Sequence, residues 1–318
     1  TTEIYTLSLH DALPICPATL RIVIRPPFWS TWWFRILGFA AVIGLGYLYF
    51  RRRLRTVRMR TELQAAHDAQ MSIMPQVDPT VEGYDISGLC TPAFEVGGDF
   101  FGFIPLGKDH GFCVAVGDVS GKAMGSAMTA VLSSGMLYAH AAQAESVGEV
   151  LTRLNTPMYD KTDRKMFTAL CLVALQPGSP AITFTNAGLP HPLIRRNGSV
   201  RPLYCEGPRL PLGSTRHVQY AEQREQLASG DVLVLFTDGV SEAINTHNEF
   251  YGSERLQQLL GEMETAGLSA AEIKQRIVAD ITRFGGAAAR HDDMTVVVIK
   301  VDDVDGETGA MGSAARTM

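Results

Sequence analysis

Four aspartates of this chain stand where an apolar, strand-like run meets a turn: Asp99 in FEVGGDFFGF, Asp118 in CVAVGDVSGK, Asp238 in DVLVLFTDGV and Asp292 in HDDMTVVVI. The end of a strand rich in Val, Leu and Phe is a costly place for a carboxylate unless something positive meets it. No Lys or Arg lies within three residues of Asp99 or Asp238. Hard divalent cations would resolve that cost, because Mg2+ and Mn2+ take carboxylate and carbonyl oxygens and a two-ion site draws its carboxylates from separate strands. Each Asp taken alone reads as an ordinary turn or cap residue. Four of them, each at the edge of a strand-like run, favour the cation site.

Other chemistries find less support. None of the five cysteines, Cys16, Cys90, Cys113, Cys171 and Cys205, lies in a CxxC or a phosphate-cradling loop, and their spacing suits a reducing compartment. The stretch GDVSGKAMG runs from GK into Ala123, so the nucleotide P-loop pattern is missing. Ser120 within it reads as a turn residue, and Lys122 as a solvated lysine that could also approach a phosphate. His191 in LPHPL either faces a substrate or is simply exposed, and His291 either tunes the neighbouring Asp pair or is exposed. No HExxH pattern offers a zinc site. Gly97 and Gly98 beside Asp99, and Gly117, Gly121 and Gly239 beside Asp118 and Asp238, allow close backbone approach and tight turns around the carboxylates.

The segments EVGGDFFGF, VAVGDVSGKAMGSAM, TNAGLPHPLI, LVLFTDGVSEA and DDMTVVVIKV, in this order, resemble the metal-dependent serine/threonine protein phosphatases of the PPM superfamily, within it the bacterial SpoIIE and RsbU branch. The resemblance covers roughly residues 78 to 302. It implies a β-sandwich flanked by helices, with two Mn2+ or Mg2+ ions at one sheet edge. Asp118 matches the aspartate that bridges the two ions, with the Val119 carbonyl as a further ligand. Asp238 and Asp292 match the carboxylates of the first ion, and Asp99 matches the one on the other side. Catalysis would then fall to Asp118, Asp238 and Asp292, through a water shared by ions roughly 4 Å apart and attacking the phosphorus in line. Asp293 would be a neighbour behind the ligands or a surface turn residue. Three positions depart from the family pattern: Gly102 replaces a second acidic residue after GGD, Ala123 replaces a Gly, and Leu189 replaces the His of an AGH segment.

These carboxylates must be positioned by a framework. Strand-like runs fall near 84–90, 98–105, 111–118, 166–175, 181–187, 231–237 and 294–301, and helical runs near 123–141, 146–159, 252–261 and 269–284. Adjacent strands with helices between blocks predict an α+β domain of two packed antiparallel sheets.

Upstream the composition changes. Residues 32–50, WWFRILGFAAVIGLGYLYF, carry one charge over 19 residues, close to the ~20 that cross a bilayer as a helix. Aromatic residues edge both ends, and RRRLRTVRMR follows with six Arg in ten residues, which places that side in the cytoplasm. Residues 51–77 read as a juxtamembrane signalling helix, with Leu63, Ala66, Gln70 and Ile73 at helical spacing before Pro75, a stripe suited to homodimerisation or to packing on the phosphatase domain. Residues 16–31 resemble the end of the extracytoplasmic β domain of membrane-bound propeller-type sensors, so the chain reads as a fragment of such a receptor. Residues 1–15 resemble translated adapter sequence, and residues 303–318 form a small, polar tail of disordered composition.

Residues 1–60 hold 9 Arg and 2 acidic residues, leaving 19 basic and 31 acidic residues beyond them, a net of −12 that repels nucleic acid. The expectation is a phosphatase anchored in the cytoplasmic membrane by one helix and acting on an anti-anti-sigma-like phosphoprotein. The alternative is a non-catalytic signalling module of the same fold.

Overall fold

A computed structural model describes residues 4–5, 22–23, 27–107, 111–121, 124–163 and 166–302. The tail 303–318, most of the leader 1–15, and Lys122 and Ala123 lie outside the described residues, as do the side chains of Leu63 and Ala66. The chain divides into two compact units, Thr1–Thr61 and Glu62–Met318.

In the first unit, strands β1 (Ile4–Tyr5) and β2 (Ile22–Val23) pair antiparallel. A single 3-10 turn at Phe28–Ser30 leads into α1 (Trp32–Ile73), 42 residues long. Nothing in its sequence breaks it, since Pro first recurs at Pro75 and the intervening glycines cost only local stability. The juxtamembrane helix expected from residue 51 continues the apolar one over residues 32–50. Its stretch Trp32–Arg55 is, among the described residues, the one helix long and apolar enough to cross a bilayer. At ~1.5 Å per residue, 24 residues reach ~36 Å against ~30 Å of hydrocarbon. Its large apolar side chains are exposed, Trp32 by 75% and Phe39 by 70%.

The second unit is a sandwich of two antiparallel sheets. Strands β3 (Thr80–Val81), β4 (Tyr84–Thr91), β9 (Leu193–Arg196), β10 (Ser199–Pro202), β12 (Val232–Phe236) and β13 (Met294–Val301) form six strands in the order β10-β9-β12-β13-β4-β3. Strands β5 (Phe100–Leu106), β6 (Gly111–Val119), β7 (Thr168–Leu175), β8 (Ala181–Ala187) and β11 (Gln223–Gln226) form five in the order β11-β8-β7-β6-β5. Helices α2 (Met124–Ala141) and α3 (Val147–Lys161) pack on the five-stranded sheet. After the short turn α4 (Asp238–Ser241), α5 (Ser253–Glu262) and α6 (Ala270–Gly285) pack on the six-stranded one. Local chemistry supports these boundaries. Ser146 caps α3 by accepting from the Glu149 amide, and Ser269 and Glu272 form a capping box on α6.

The central strands are covered on both faces, which is why they read as continuous apolar runs. In β13, Val297, Ile299 and Val301 enter the core between the sheets, while Met294, Val296 and Val298 enter the core beneath α5 and α6. In β12 the same alternation sends Leu233 and Leu235 one way and Val232, Val234 and Phe236 the other. The last turn of α1 belongs to this unit: Met74 is buried in the inter-sheet core and Met71 packs against it.

Leu172, fully buried in the middle of β7, tests the packing. Leu172→Ala is expected to lower unfolding stability by about 2–5 kcal/mol, read from denaturant midpoints, against less than about 0.5 kcal/mol for Leu210→Ala at an exposed site. Equal effects would contradict the packing described.

Candidate active site

Each predicted aspartate sits at a strand end on one edge of the sandwich. Asp99 precedes β5 and Asp118 is the penultimate residue of β6, side by side because Phe100 pairs with Gly117. Asp238 follows β12 and opens α4, and Asp292 precedes β13, neighbours because Phe236 pairs with Val296. One pair thus comes from each sheet. Asp99 joins them: its Oδ2 accepts from Thr237 Oγ1 at 2.7 Å and from Thr295 Oγ1 at 2.8 Å, both on the opposite sheet. Thr237 Oγ1 in turn accepts from the Thr295 amide at 3.0 Å, so every group around this 2%-exposed carboxylate is paired.

The electrostatics are those of acids crowded together. Burial and then the Asp118 charge hold the Asp99 carboxyl well above the usual range, although the two threonines pull it down. Asp118 is pushed up to about 7, first by burial and then by Asp238 and Asp292. Burial, Asp292 and Glu242 raise Asp238, with the Gly239 amide opposing them. Among the described residues, no salt bridge reaches any of these aspartates. Like charges without a counter-charge are the arrangement a bound divalent cation would relieve.

The backbone is shaped to match. A Cβ on Gly98 would collide with the Val119 carbonyl oxygen, and one on Gly239 with the Asp293 carbonyl oxygen, so only glycine lets these segments close around the carboxylates. The Val119 amide donates to the Gly98 carbonyl at 3.2 Å, fixing the two loops against each other. Among the described residues, no three His, Cys, Asp or Glu side chains are gathered closely enough to grip one ion as placed. The fit to Mg2+ or Mn2+ lies in the all-oxygen donors, the uncompensated negative charge and the close backbone approach.

The remaining predicted residues resolve as follows. Asp292 is exposed at the mouth of the site, whereas Asp293 is buried: its Oδ1 accepts from the Ala93 amide at 2.8 Å and its Oδ2 from the Gly98 amide at 2.6 Å. Of the two roles open to Asp293, the structure supports that of a clamp behind the ligand positions. Consecutive residues entering a strand point to opposite sides, which separates the pair. Ser120 is a turn residue, its Oγ accepting from the Phe167 amide. His191 lines a cavity of about 410 Å³ that also includes Asp118, Asp238, Tyr204, Arg209 and Gln257. Its Nε2 meets Arg209 Nη1 at 2.8 Å, and burial followed by the Arg209 charge lowers its pKa. His291 is exposed. Leu189 is buried, and its backbone is held by Asn186 and Arg209. Cys90, Cys113, Cys171 and Cys205 are free, with burial raising every thiol, that of Cys113 to about 12, which leaves no thiolate nucleophile among them.

Thr237, Thr295, Glu242 and Gln70 were not legible as site residues. Thr237 and Thr295 look like ordinary strand residues, and their role appears only when β12 and β13 are paired. Glu242, four residues beyond Asp238 across α4, could have been found by helical spacing.

Asp118 gives a signed pH prediction. In the folded chain without divalent ions its carboxyl keeps its proton up to about 7, against an ordinary 3.8. The stability tied to this group is therefore complete below 3.8, declines as pH rises from there to about 7, and stays lost above. Asp118→Asn cannot ionise, so in chelator it should melt higher than the unaltered chain near pH 8, with the gap closing toward pH ~4. A variant less stable at pH 8 would contradict this electrostatic picture.

Comparison with known proteins agrees with this geometry. Residues 108–302 match the family described as Stage II sporulation protein E (SpoIIE). The chain is 26% identical over 278 residues to the phosphoserine phosphatase RsbU of Bacillus subtilis (strain 168), covering 84% of this chain and 79% of that protein. The SiaA-PP2C domain of Pseudomonas aeruginosa superposes with a TM-score of 0.65 at 21% identity, covering 78% of this chain and 98% of that one. RsbX in complex with magnesium superposes with a TM-score of 0.53 at 14% identity, covering 71% and 99%. The chain belongs to the SpoIIE family and carries a protein serine/threonine phosphatase domain of the PP2C type.

Proposed function

We propose that this chain hydrolyses phosphoserine or phosphothreonine on a partner protein with the help of two Mn2+ or Mg2+ ions. The observation that carries the reading is the convergence of Asp118, Asp238 and Asp292 from both sheets on one edge, with no Lys or Arg paired to them among the described residues. Asp118 would serve both ions together with the Val119 carbonyl. Asp238 and Asp292 would serve the first, and Asp99 would stand on the other side. When bound, the ions supply a water of lowered pKa and neutralise the charge on the phosphoryl oxygens. The chain's own residues do the positioning. Thr237 and Thr295 fix Asp99 beside Asp118. Asp293 fixes the Gly98 loop. The cavity beside Asp118 and Asp238 is open enough to take a side chain presented on a protein surface, with Arg209 and Tyr204 along its wall.

The relative named a phosphoserine phosphatase supports a phosphoprotein substrate. By resemblance to its branch we assign an anti-anti-sigma-like partner in a partner-switching pathway. The net charge of −12 beyond residue 60 argues against nucleic acid as a target. Within the same proposal, residues 32–50 of α1 span the cytoplasmic membrane, the Arg cluster and the phosphatase unit face the cytoplasm, residues 16–31 lie outside, and the helix from residue 51 can pair two copies. The second reading, a non-catalytic module of the same fold, is favoured by the absence of a closed three-acid cage among the described residues.

The whole chain in lipid nanodiscs should release phosphate from a phosphoserine protein with Mn2+ and not with chelator, and Asp118→Asn should lower the rate by at least about a hundredfold. Activity surviving Asp118→Asn would defeat the assigned chemistry, and a metal-binding but inactive chain would favour the second reading. In intact spheroplasts, added protease should spare the phosphatase unit; its digestion would overturn the topology.

A further inference from the structure

The segment Val96–Asp99 is buried yet belongs to no strand, so its backbone groups need partners that a sheet does not supply. Three neighbours provide five of them. Asp293 takes the Gly98 amide, Val119 donates to the Gly98 carbonyl, and Gln70 serves Gly97 and the Asp99 carbonyl. Gln70 Nε2 donates to the Gly97 carbonyl at 2.8 Å and to the Asp99 carbonyl at 3.3 Å, while its Oε1 accepts from the Gly97 amide at 3.2 Å. A single primary amide thus imitates one rung of a β-ladder against the loop that presents Asp99.

Two features make this more than packing. Gln70 is 1% exposed, and a buried amide in the last turn of a helix costs free energy unless all its valences are used. A Leu or Met would fill the same volume without that requirement. Gln70 also lies between Ala69 and Met71 in the turn of α1 that ends at Ile73, with Met71 and Met74 packed into the inter-sheet core, so the amide is delivered to the loop by the docking of that turn.

We infer that Gln70 is a positioning residue of the metal site, holding the Gly97–Asp99 backbone so that Asp99 and the Val119 carbonyl face the divalent ions. The inference rests on the metal-dependent reading above. Withdrawing the turn would break three hydrogen bonds at once and leave the Gly97 amide and carbonyl buried without partners, with only the Cys90 thiol left on the Asp99 carbonyl, whereas a loop held only by Asp293 and Val119 could drift from Asp118.

The test is calorimetric titration of Mn2+ into the whole chain in nanodiscs, alongside Gln70→Leu and Met74→Ala. Removing an outer partner of a metal site commonly costs about 10–100-fold in affinity, and a loss of that size is expected for Gln70→Leu. Activity of Gln70→Leu should recover at saturating Mn2+, so that the apparent Mn2+ constant rises while the limiting rate is retained. Hydrogen exchange at the Gly97 amide should quicken, with the melting temperature lowered by the lost hydrogen bonds. Met74→Ala, which loosens the same turn without touching the loop's hydrogen bonds, should lower the melting temperature and leave Mn2+ affinity within about threefold. Should Gln70→Leu fail to fold, Gln70→Glu keeps the acceptor for the Gly97 amide and loses both donors, and the same loss is expected. Unchanged Mn2+ affinity in the folded Gln70 variant would overturn the inference alone. An unaltered chain that binds no Mn2+ would overturn it together with the metal-dependent reading.

Discussion

Uncompensated negative charge at the edge where the two sheets meet is the constraint around which this domain is arranged. Asp99, Asp118, Asp238 and Asp292 come from four strand ends, burial and neighbouring acids raise the proton affinity of Asp99, Asp118 and Asp238, and no cationic side chain is paired with the four among the described residues. A fold tolerates such a cluster only if its framework is stiff and some other cation offsets the charge. The stiffness is visible. Buried apolar strands run directly into the site, and Asp99 is bonded across the sandwich to Thr237 and Thr295.

The same constraint explains the polar residues that do not themselves approach a phosphate. Asp293 and Gln70 each saturate backbone groups of the Gly97–Asp99 loop, and glycine at positions 98 and 239 lets neighbouring backbones come closer than any side chain would allow. Precise placement of a few oxygens therefore draws on residues from α1, from three loops and from both sheets.

Much of this was legible in the sequence, for identifiable reasons. Strands covered on both faces, such as β6, β7, β12 and β13, read as apolar runs, β4, β5 and β8 carry enough apolar and β-branched residues to be read beside them, and the four aspartates announced themselves by their position at the ends of strand-like runs. The short strands β3, β9, β10 and β11, at or next to a sheet edge, escaped because two to four residues of mixed polarity, as in QREQ at Gln223–Gln226, carry no periodicity. Gln70 was read as part of an apolar helical stripe, and its use as a hydrogen-bonding clamp depends on a loop 27 residues away that only the fold brings near. The division of labour between Asp292 and Asp293 was likewise invisible until β13 fixed which side each one faces.

The most direct test of the central claim is anomalous diffraction from crystals of the chain grown with Mn2+. Manganese peaks lying among Asp118, Asp238 and Asp292, within about 2.5 Å of their carboxylate oxygens, are the predicted result. Peaks located elsewhere, or these three carboxylates turned away from any bound ion, would contradict it.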